Sequence, residues 1–437
     1  MQNIIEPFIT SAPGKVIIFG EHSAVYGEPV IAAAVSSLRS YLLVTQASSP
    51  NVIELDFPDI KFDHKWSYTQ DFFPSSATST NGFDLEKCRK IFVKHNQGTT
   101  DLDLELEDEL TQYIDTIIKN TLTEEKKQFH YYAALCFLYL YFNLCPQVSG
   151  VKFTIKSNLP VGAGLGSSAS ISVCLTLAMC KLGGILSGMS LSEKDKKMIN
   201  KWSYIGEKCT HGTPSGIDNA VATFGGAVLF QKQVDGKNKL EVIENFPQIP
   251  MILTNTKIPK STKKLISDVR KLCEENPKIM KGILSSMGYI AETGASILKK
   301  FDAQTSLPQL IELVRINHGL LVSIGVSHPG LEKIKLLSDT LKIGGTKLTG
   351  AGGGGCALTI LLDHEEDRLK IEEFKNTLHE RYGYDNFDTD LGGTGSCFID
   401  LSKKNGGEIL NAFTENSAGD QIFTPELLQL LQLNTIL

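Results

Sequence analysis

A mixed α/β (α+β) fold in two domains is what this sequence predicts, on three observations. The chain has 437 residues, more than one hydrophobic core usually serves. Strand-like alternating runs and helix-period runs follow one another along it. One stretch shows the succession in full. Val151–Ser157 (VKFTIKS) alternates like a strand, Leu159–Ser170 (LPVGAGLGSSAS) is a glycine-rich loop, and ISVCLTLAMCKL continues as a helix with Ile171, Leu175 and Met179 on one face.

The loop carries chemistry. Gly162, Gly164 and Gly166 have no Cβ and let the backbone wrap closely round a ligand. The helix start behind them offers unpaired N–H groups and a positive dipole end, which together make a phosphate cradle. An ordinary strand-to-helix turn needs one or two glycines, not three followed by the hydroxyls of Ser167 and Ser168. Commoner nucleotide loops do not fit. No GxxxxGK[ST] occurs, and this loop misses GxGxxG by one position. The literal GxGxxG at Gly350–Gly355 precedes the strand-like run Ala357–Leu362, not a helix. HRD and DFG, landmarks of protein kinases, are absent as well.

Taken in order, Pro13–Gly14 reads as a turn and Val16–Phe19 as an apolar strand, ending in a polar loop that carries Glu21 and His22. Val30–Val35 is a packed helix or strand, and Ser40–Ala47 and Asn51–Phe57 alternate as strands. Residues 59–127 have low apolar density and the acidic run DLDLELEDEL. They are expected to form an exposed insertion, helical from Leu106 to Ile117. Phe129–Cys145 suggests a membrane span, but its uninterrupted apolar part, Tyr131–Phe142, falls short of the roughly 20 residues a span needs. A buried helix is the better reading.

Beyond the glycine loop, Ser192–Cys209 is an amphipathic helix with a capping-box-like start at Ser192 and Asp195. It leads into GEKCTHGTPSGIDNAVATFGGA, where Glu207, His211, Ser215 and Asp218 crowd one irregular loop. Asp218 could instead only cap the next helix. A domain boundary near residue 230 divides the chain into 1–230 and 231–437. Pro250–Thr256 then reads as a strand, and Lys260–Glu274, Lys278–Lys300 and Leu307–Ser323 as helices. KLTGAGGGGCALTILL (Lys347–Leu362) is strand, close-approach glycine loop and strand. After Lys403 the chain turns polar and ends in a helix-like LLQLLQL.

Composition excludes several classes. Hydrophobic content of 42% and charged content of 21% belong to an ordinary globular chain. A net charge of −6 without a basic stripe speaks against a nucleic-acid partner. Nine scattered cysteines without a CxxC pair suggest reduced thiols and a cytoplasmic setting. Cys209 lies near His211, but no third group orients that pair, so a catalytic thiol is not expected. The opening MQNIIEPFITSAPGK lacks the basic start and apolar core of a secretory signal, and no membrane partner is expected.

Three stretches in order, APGKVIIFGEHSAVYG, LPVGAGLGSSAS and KLTGAGGGGC, resemble the three motifs of the GHMP small-molecule kinases. The likeness covers nearly the whole chain, and is weakest across 59–127 and beyond Lys403. GEKCTHGTPSGIDNAVATFGGA, TNTKIPKST and NHGLLVSIGVSHPGLE resemble the branch, of fungal type, whose acceptor is mevalonate. Galactokinases resemble it less, having Arg where Lys15 stands. The resemblance implies the two-domain GHMP kinase fold with its active site in the inter-domain cleft. It also implies ATP-dependent phosphorylation of mevalonate to 5-phosphomevalonate with Mg2+. A homodimer is expected. The alternative is a galactokinase-like sugar kinase. A catalytically silent relative should lack Ser168, Glu207, Asp218 or Lys15, and all four are present.

By the same resemblance Pro160, Val161, Gly162, Ala163, Gly164, Leu165, Gly166, Ser167, Ser168 and Ala169 bind ATP, together with Lys15. Ser168 and Glu207 are the hard oxygen ligands for magnesium, which keeps several waters and needs few protein groups. Asp218 accepts or orients the proton of the acceptor's primary hydroxyl, and Lys15 favours the alkoxide-like oxygen. Glu21, His22, Ser215, Thr262 and Ala351 join Lys15 and Asp218 as acceptor contacts. Glu21 either orients Lys15 or belongs to the nucleotide side. The stretches Ile18–Gly27 and His211–Asn219 hold no Arg or Lys, so a phosphate already on the acceptor would be poorly compensated there.

Overall fold

A computed structural model describes residues 4–73, 84–97, 105–160, 162–233, 238–243, 246–362, 367–415 and 422–436. Its spine is a pair of long antiparallel strands, β1 (Phe8–Phe19) and β2 (Val30–Gln46). Where a turn was expected at Pro13–Gly14, β1 runs on unbroken. The register slips instead: Pro13 faces Arg39, while Gly14 faces Val35. The reason is a close approach. A Cβ on Gly14 would stand 2.3 Å from a Leu159 methyl and 2.9 Å from the Leu165 carbonyl. The glycine-rich loop therefore lies directly on this strand, and Lys15 N–H donates to the Leu165 carbonyl at 2.8 Å.

The first half continues with β3 (Val52–Phe57), β4 (Phe62–Ser67), α1 (Leu85–Gln97), α2 (Asp108–Thr121), α3 (Glu124–Leu144), β5 (Val151–Ser157), α4 (Ser167–Leu182), α5 (Glu193–His211), α6 (Ile217–Phe224) and β6 (Ala227–Gln231). The described part of 59–127 is not the exposed insertion that composition suggested; residues 74–83 and 98–104, with the first part of the acidic run, lie outside the described residues. Phe62, Trp66, Phe72, Cys88, Leu110, Ile114 and Ile118 are buried in one core with Phe137, Phe142 and Trp202. Trp66 stacks on Phe137 with centroids 5.5 Å apart. A few large aromatic side chains bury as much surface as a longer run of small ones, so low apolar density misleads. Among the described residues no helix is long and apolar enough to cross a membrane. In α3 every residue from Ala134 to Leu144 is buried in that same core or beside it.

The second half comprises β7 (Lys239–Ile243), β8 (Ile249–Asn255), α7 (Thr262–Glu275), α8 (Pro277–Lys299), α9 (Ala303–Ser323), α10 (Pro329–Leu341), β9 (Gly344–Leu348), β10 (Cys356–Leu361), α11 (Arg368–Tyr382), β11 (Asp385–Leu391), β12 (Cys397–Ile399), α12 (Gly406–Glu415), α13 (Pro425–Leu433) and β13 (Thr435–Ile436). The described strands join in one network, with the order β13-β12-β1-β2-β11-β8-β10-β9; β5 and β6 also pair with β2. The C-terminal strands thus return to the first half, a path the sequence pattern did not reveal. A second core spans the halves, with Val16, Phe19 and Ile31 against Leu253, Ile290, Val314 and Leu358. The glycine loops before α4, before α6 and between β9 and β10 are brought together by this packing.

Candidate active site

Lys15 sits in mid-strand on β1, nearly buried, and its Nζ lies 3.1 Å from Asp218 Oδ1. It is no surface lysine after a turn. Asp218 stands in the first turn of α6, which the left-handed Gly216 introduces without any side-chain cap. Its carboxylate faces Lys15, so capping alone does not account for it. Gly166 closes the arrangement from the loop side. A Cβ there would come 3.0 Å from Lys15 Cγ and 3.4 Å from Asp218 Oδ2.

Gly162, Gly164 and Gly166 have φ of 71°, 82° and 72°, in the left-handed region that glycine tolerates. Ser167 begins α4, and Ser168 in its first turn donates to Glu207 Oε1 at 2.6 Å. Glu207 is buried on α5, and burial pushes its carboxyl up to about 7. The hydroxyl of Ser168 opposes that rise, the charge of Asp218 adds to it, and Lys15 opposes it. A cavity of about 440 Å³ lies between these groups, lined by Pro160, the loop glycines, Leu165, Ser167, Ser168, Ala169, Glu207, Ser215 and Asp218. Ala163 is buried and does not line it. Val161 lies outside the described residues. Hence two hard oxygen donors, Ser168 and Glu207, and the carboxylate of Asp218 face one space at a helix start, with Lys15 paired to that carboxylate.

Just past the end of β1, His22 adopts a positive φ of 61°, and its Nε2 is 2.8 Å from the Ala351 carbonyl. A carbonyl only accepts, so Nε2 carries the proton and donates. Burial lowers the pKa of this imidazole, which favours the neutral ring. Two predicted acceptor contacts, 329 positions apart, are thereby joined. Ser215 is exposed at the cavity rim and accepts from the Ile217 N–H at 3.3 Å. Thr262 is the exposed first residue of α7 and lines neither of the cavities around the glycine loop.

Glu21 needs correction. Its side chain is fully buried and ion-paired with Lys347, and its second oxygen accepts from Asn317 Nδ2 at 3.1 Å. Its two oxygens are held by Lys347 and Asn317, not by Lys15. Glu21 and His22 follow one another in the chain, and their side chains point to different neighbours.

Two features were missed, and the place of Lys260 was left open. Lys347 was given no role, though every residue of β9 is buried. Lys260 lies with its ammonium toward both glycine loops. A Cβ on Gly164 would stand 3.6 Å from Lys260 Nζ, and one on Gly355 2.4 Å. Burial and the charge of Lys15 lower its pKa. Finally, an apolar slot of about 730 Å³ adjoins the first cavity and shares Gly162, Ser167 and Ser168 with it. Leu55, Phe57, Ile60, Phe137, Ile171, Leu175, Ile422 and Phe423 line it. Distant segments build this slot, so no local signal announces it. A third cavity, about 550 Å³, contains Arg39 but shares no residue with these two. Its guanidinium is already committed to Ser11 Oγ and the Thr394 and Gly395 carbonyls.

Comparison with known proteins places this geometry in a family context. Residues 129–226 match the GHMP kinases N terminal domain, and residues 297–382 match the GHMP kinases C terminal. The mevalonate kinase of Saccharomyces cerevisiae is 51% identical over 91% of this chain and 90% of its own. That of Candida albicans is 45% identical over 89% of each chain. Among solved structures, L. major mevalonate kinase in complex with R-mevalonate superposes with a TM-score of 0.61, covering 90% of this chain and 100% of that one. At 23% identity it speaks for the fold alone.

Proposed function

The chain belongs to the GHMP kinases, and within them to the mevalonate kinases, and from that premise we infer how its cleft works. It phosphorylates mevalonate with ATP, giving 5-phosphomevalonate on the mevalonate route to isoprenoids and sterols. The observation that carries the mechanism is the Lys15–Asp218 pair, set against a glycine loop whose helix start carries Ser168, hydrogen-bonded to Glu207 of α5.

Phosphoryl transfer asks a protein mainly for positioning and charge stabilisation. Backbone N–H groups of the 160–169 loop and the α4 dipole hold the triphosphate, with Lys260 added from the second half. Asp218 takes the proton of the acceptor's primary hydroxyl as that oxygen bonds to the γ-phosphorus. The bond from the γ-phosphorus to its bridging oxygen breaks, and ADP leaves. Lys15, 3.1 Å from Asp218, stabilises the negative charge on the attacking oxygen. Ser168 and Glu207 fit a magnesium ion, being a hydroxyl and a carboxylate converging at 2.6 Å. Bound there, the ion would neutralise charge on the phosphate oxygens. A buried carboxyl raised to about 7 is one that gains from a cation. The adjoining apolar slot suits the base of the nucleotide.

His22, Ala351 and Ser215 are proposed to face the acceptor, with Thr262 at the edge of that side. The division at residue 230 is a proposal too, since β6 and β7 form a hairpin across it. A cytoplasmic setting is supported by nine free thiols, eight of them buried. A homodimer is proposed with the exposed apolar side chains Ile279 and Tyr289 of α8 available to it; light scattering tests that.

One coupled ADP-release assay with mevalonate, galactose, homoserine and phosphomevalonate tests the function. Mevalonate should be turned over with a specificity constant far above the other three. The acceptor stretches contribute no Arg or Lys, and a second phosphate beside Asp218 would be repelled. Comparable constants for phosphomevalonate would show that Lys260 serves the acceptor rather than ATP.

A further inference from the structure

We propose that Ile422 and Phe423, in the segment leading into α13, form one wall of the nucleotide's base slot and set the affinity for ATP without touching the acceptor. The inference rests on the reading of the apolar slot as the base's site. Three observations carry it. First, both side chains line the slot together with Phe57, Ile60 and Leu175, while Gly162 and Ser168 form its border with the phosphate cavity. Neither lines the cavity that holds Asp218.

Second, the segment is held in place. The Phe423 ring lies 5.3 Å from Tyr41 on β2 and 6.2 Å from Phe413 on α12, and Tyr41 and Phe413 are 6.0 Å apart. Thr424 caps α13 by accepting from the Leu427 N–H, and β13 beyond it pairs with β12, itself paired to β1. A wall anchored on the central strands costs little ordering when a ligand arrives.

Third, Ile422 and Phe423 are only half buried, although they pack on the core around Tyr41 and Leu431. Their remaining apolar surface gains from a flat aromatic base, whereas the phosphates offer it nothing. The tail thereby contributes to nucleotide binding through the base alone.

The test measures KM for ATP and for mevalonate in the full-length enzyme, plus inhibition by inorganic tripolyphosphate, a competitor without a base. The variants are Phe423→Ala, Ile422→Ala and, on the β3 side of the slot, Ile60→Ala. Phe423→Ala is expected to raise KM for ATP about tenfold, the scale of losing one aromatic contact to a base. Ile422→Ala should raise it severalfold. KM for mevalonate and inhibition by tripolyphosphate should stay at the wild-type level. If Ile60→Ala weakens ATP while both tail variants do not, the slot reading stands and the tail inference is overturned. Should all three leave KM for ATP unchanged, the slot reading itself falls and takes the inference with it. Equal weakening of tripolyphosphate and ATP would show the tail acting through the glycine loop, which also overturns it. Ile422 takes no part in the ring cluster, so it decides the matter even if Phe423→Ala does not fold.

Discussion

Glu21 and Lys347, 326 positions apart, form an ion pair from which water is wholly excluded. It ties the end of β1 to the strand that leads into the third glycine loop, and Asn317 of α9 completes it. Removing one partner leaves an unpaired buried charge, which costs about 3–5 kcal/mol. Lys347→Met should therefore destabilise the protein by that amount in denaturant unfolding. The double variant Glu21→Leu, Lys347→Met should recover much of the loss, because two apolar groups leave no charge stranded. If the double variant is no better than the single one, the pair is not the source of the effect.

Asp218→Asn keeps the shape of the side chain but removes its ability to take a proton. Turnover should fall by about two orders of magnitude or more, the scale of losing a general base. Circular dichroism and ATP binding should stay near wild type, since the residue serves as no helix cap. Near-normal turnover in the folded variant would remove Asp218 from the chemistry.

Ser168→Ala and Glu207→Gln should each raise the magnesium concentration needed for half-maximal rate, as each loses a hard oxygen donor. A second reading concerns the metal-free protein. The folded carboxyl of Glu207 is raised to about 7 by burial. A raised carboxyl adds stability that is complete below the ordinary carboxylate range and is lost as pH rises through 7. Without magnesium, wild type should lose stability between about pH 4.5 and 7 relative to Glu207→Gln. Parallel stability–pH curves for the two proteins would contradict the burial assigned to this group.

Gly166→Ala and Gly162→Ala face equal backbone strain, since both positions have left-handed φ near 70° and each substitution costs about 1–2 kcal/mol there. Only at Gly166 does the new methyl also meet Lys15, at 3.0 Å; nothing lies within 4 Å of the Gly162 position. Gly166→Ala should accordingly lose about tenfold more turnover than Gly162→Ala, the effect of misplacing a group at the reaction centre. Equal losses would mean that Lys15 does not depend on the loop for its position.

Where chemistry depends on neighbours in sequence, it was legible. The glycine loop, the Ser192–Asp195 capping box, the helices α4 and α5 and the buried α3 all follow from local spacing, and each is found. Lys15, Ser168, Glu207 and Asp218 were singled out from three separate stretches, and the fold pairs Lys15 with Asp218 and Ser168 with Glu207. The described part of 59–127 was misread because composition counts residues, whereas a core counts buried area, and Trp66 and Phe72 are fully buried. The expected turn at Pro13–Gly14 failed for a related reason. A Pro–Gly pair signals a turn only in isolation, and here the neighbouring loop needed a strand position without a Cβ.

The sequence alone pointed to the chemical class of this protein, because the glycine loop and the hydroxyls that follow it stand at short, fixed spacings. Tertiary structure decided which way each of those residues faces. Glu21 and His22 are adjacent in the chain, yet one is sealed against Lys347 and the other reaches Ala351. The apolar slot, its wall from Ile422 and Phe423, and the placing of Lys260 between two loops likewise exist only once distant segments meet. Backbone hydrogen bonds and side-chain periodicity act over a few residues. Contacts between distant segments and charge pairing act through space, and which partners they join carries no mark in the local sequence.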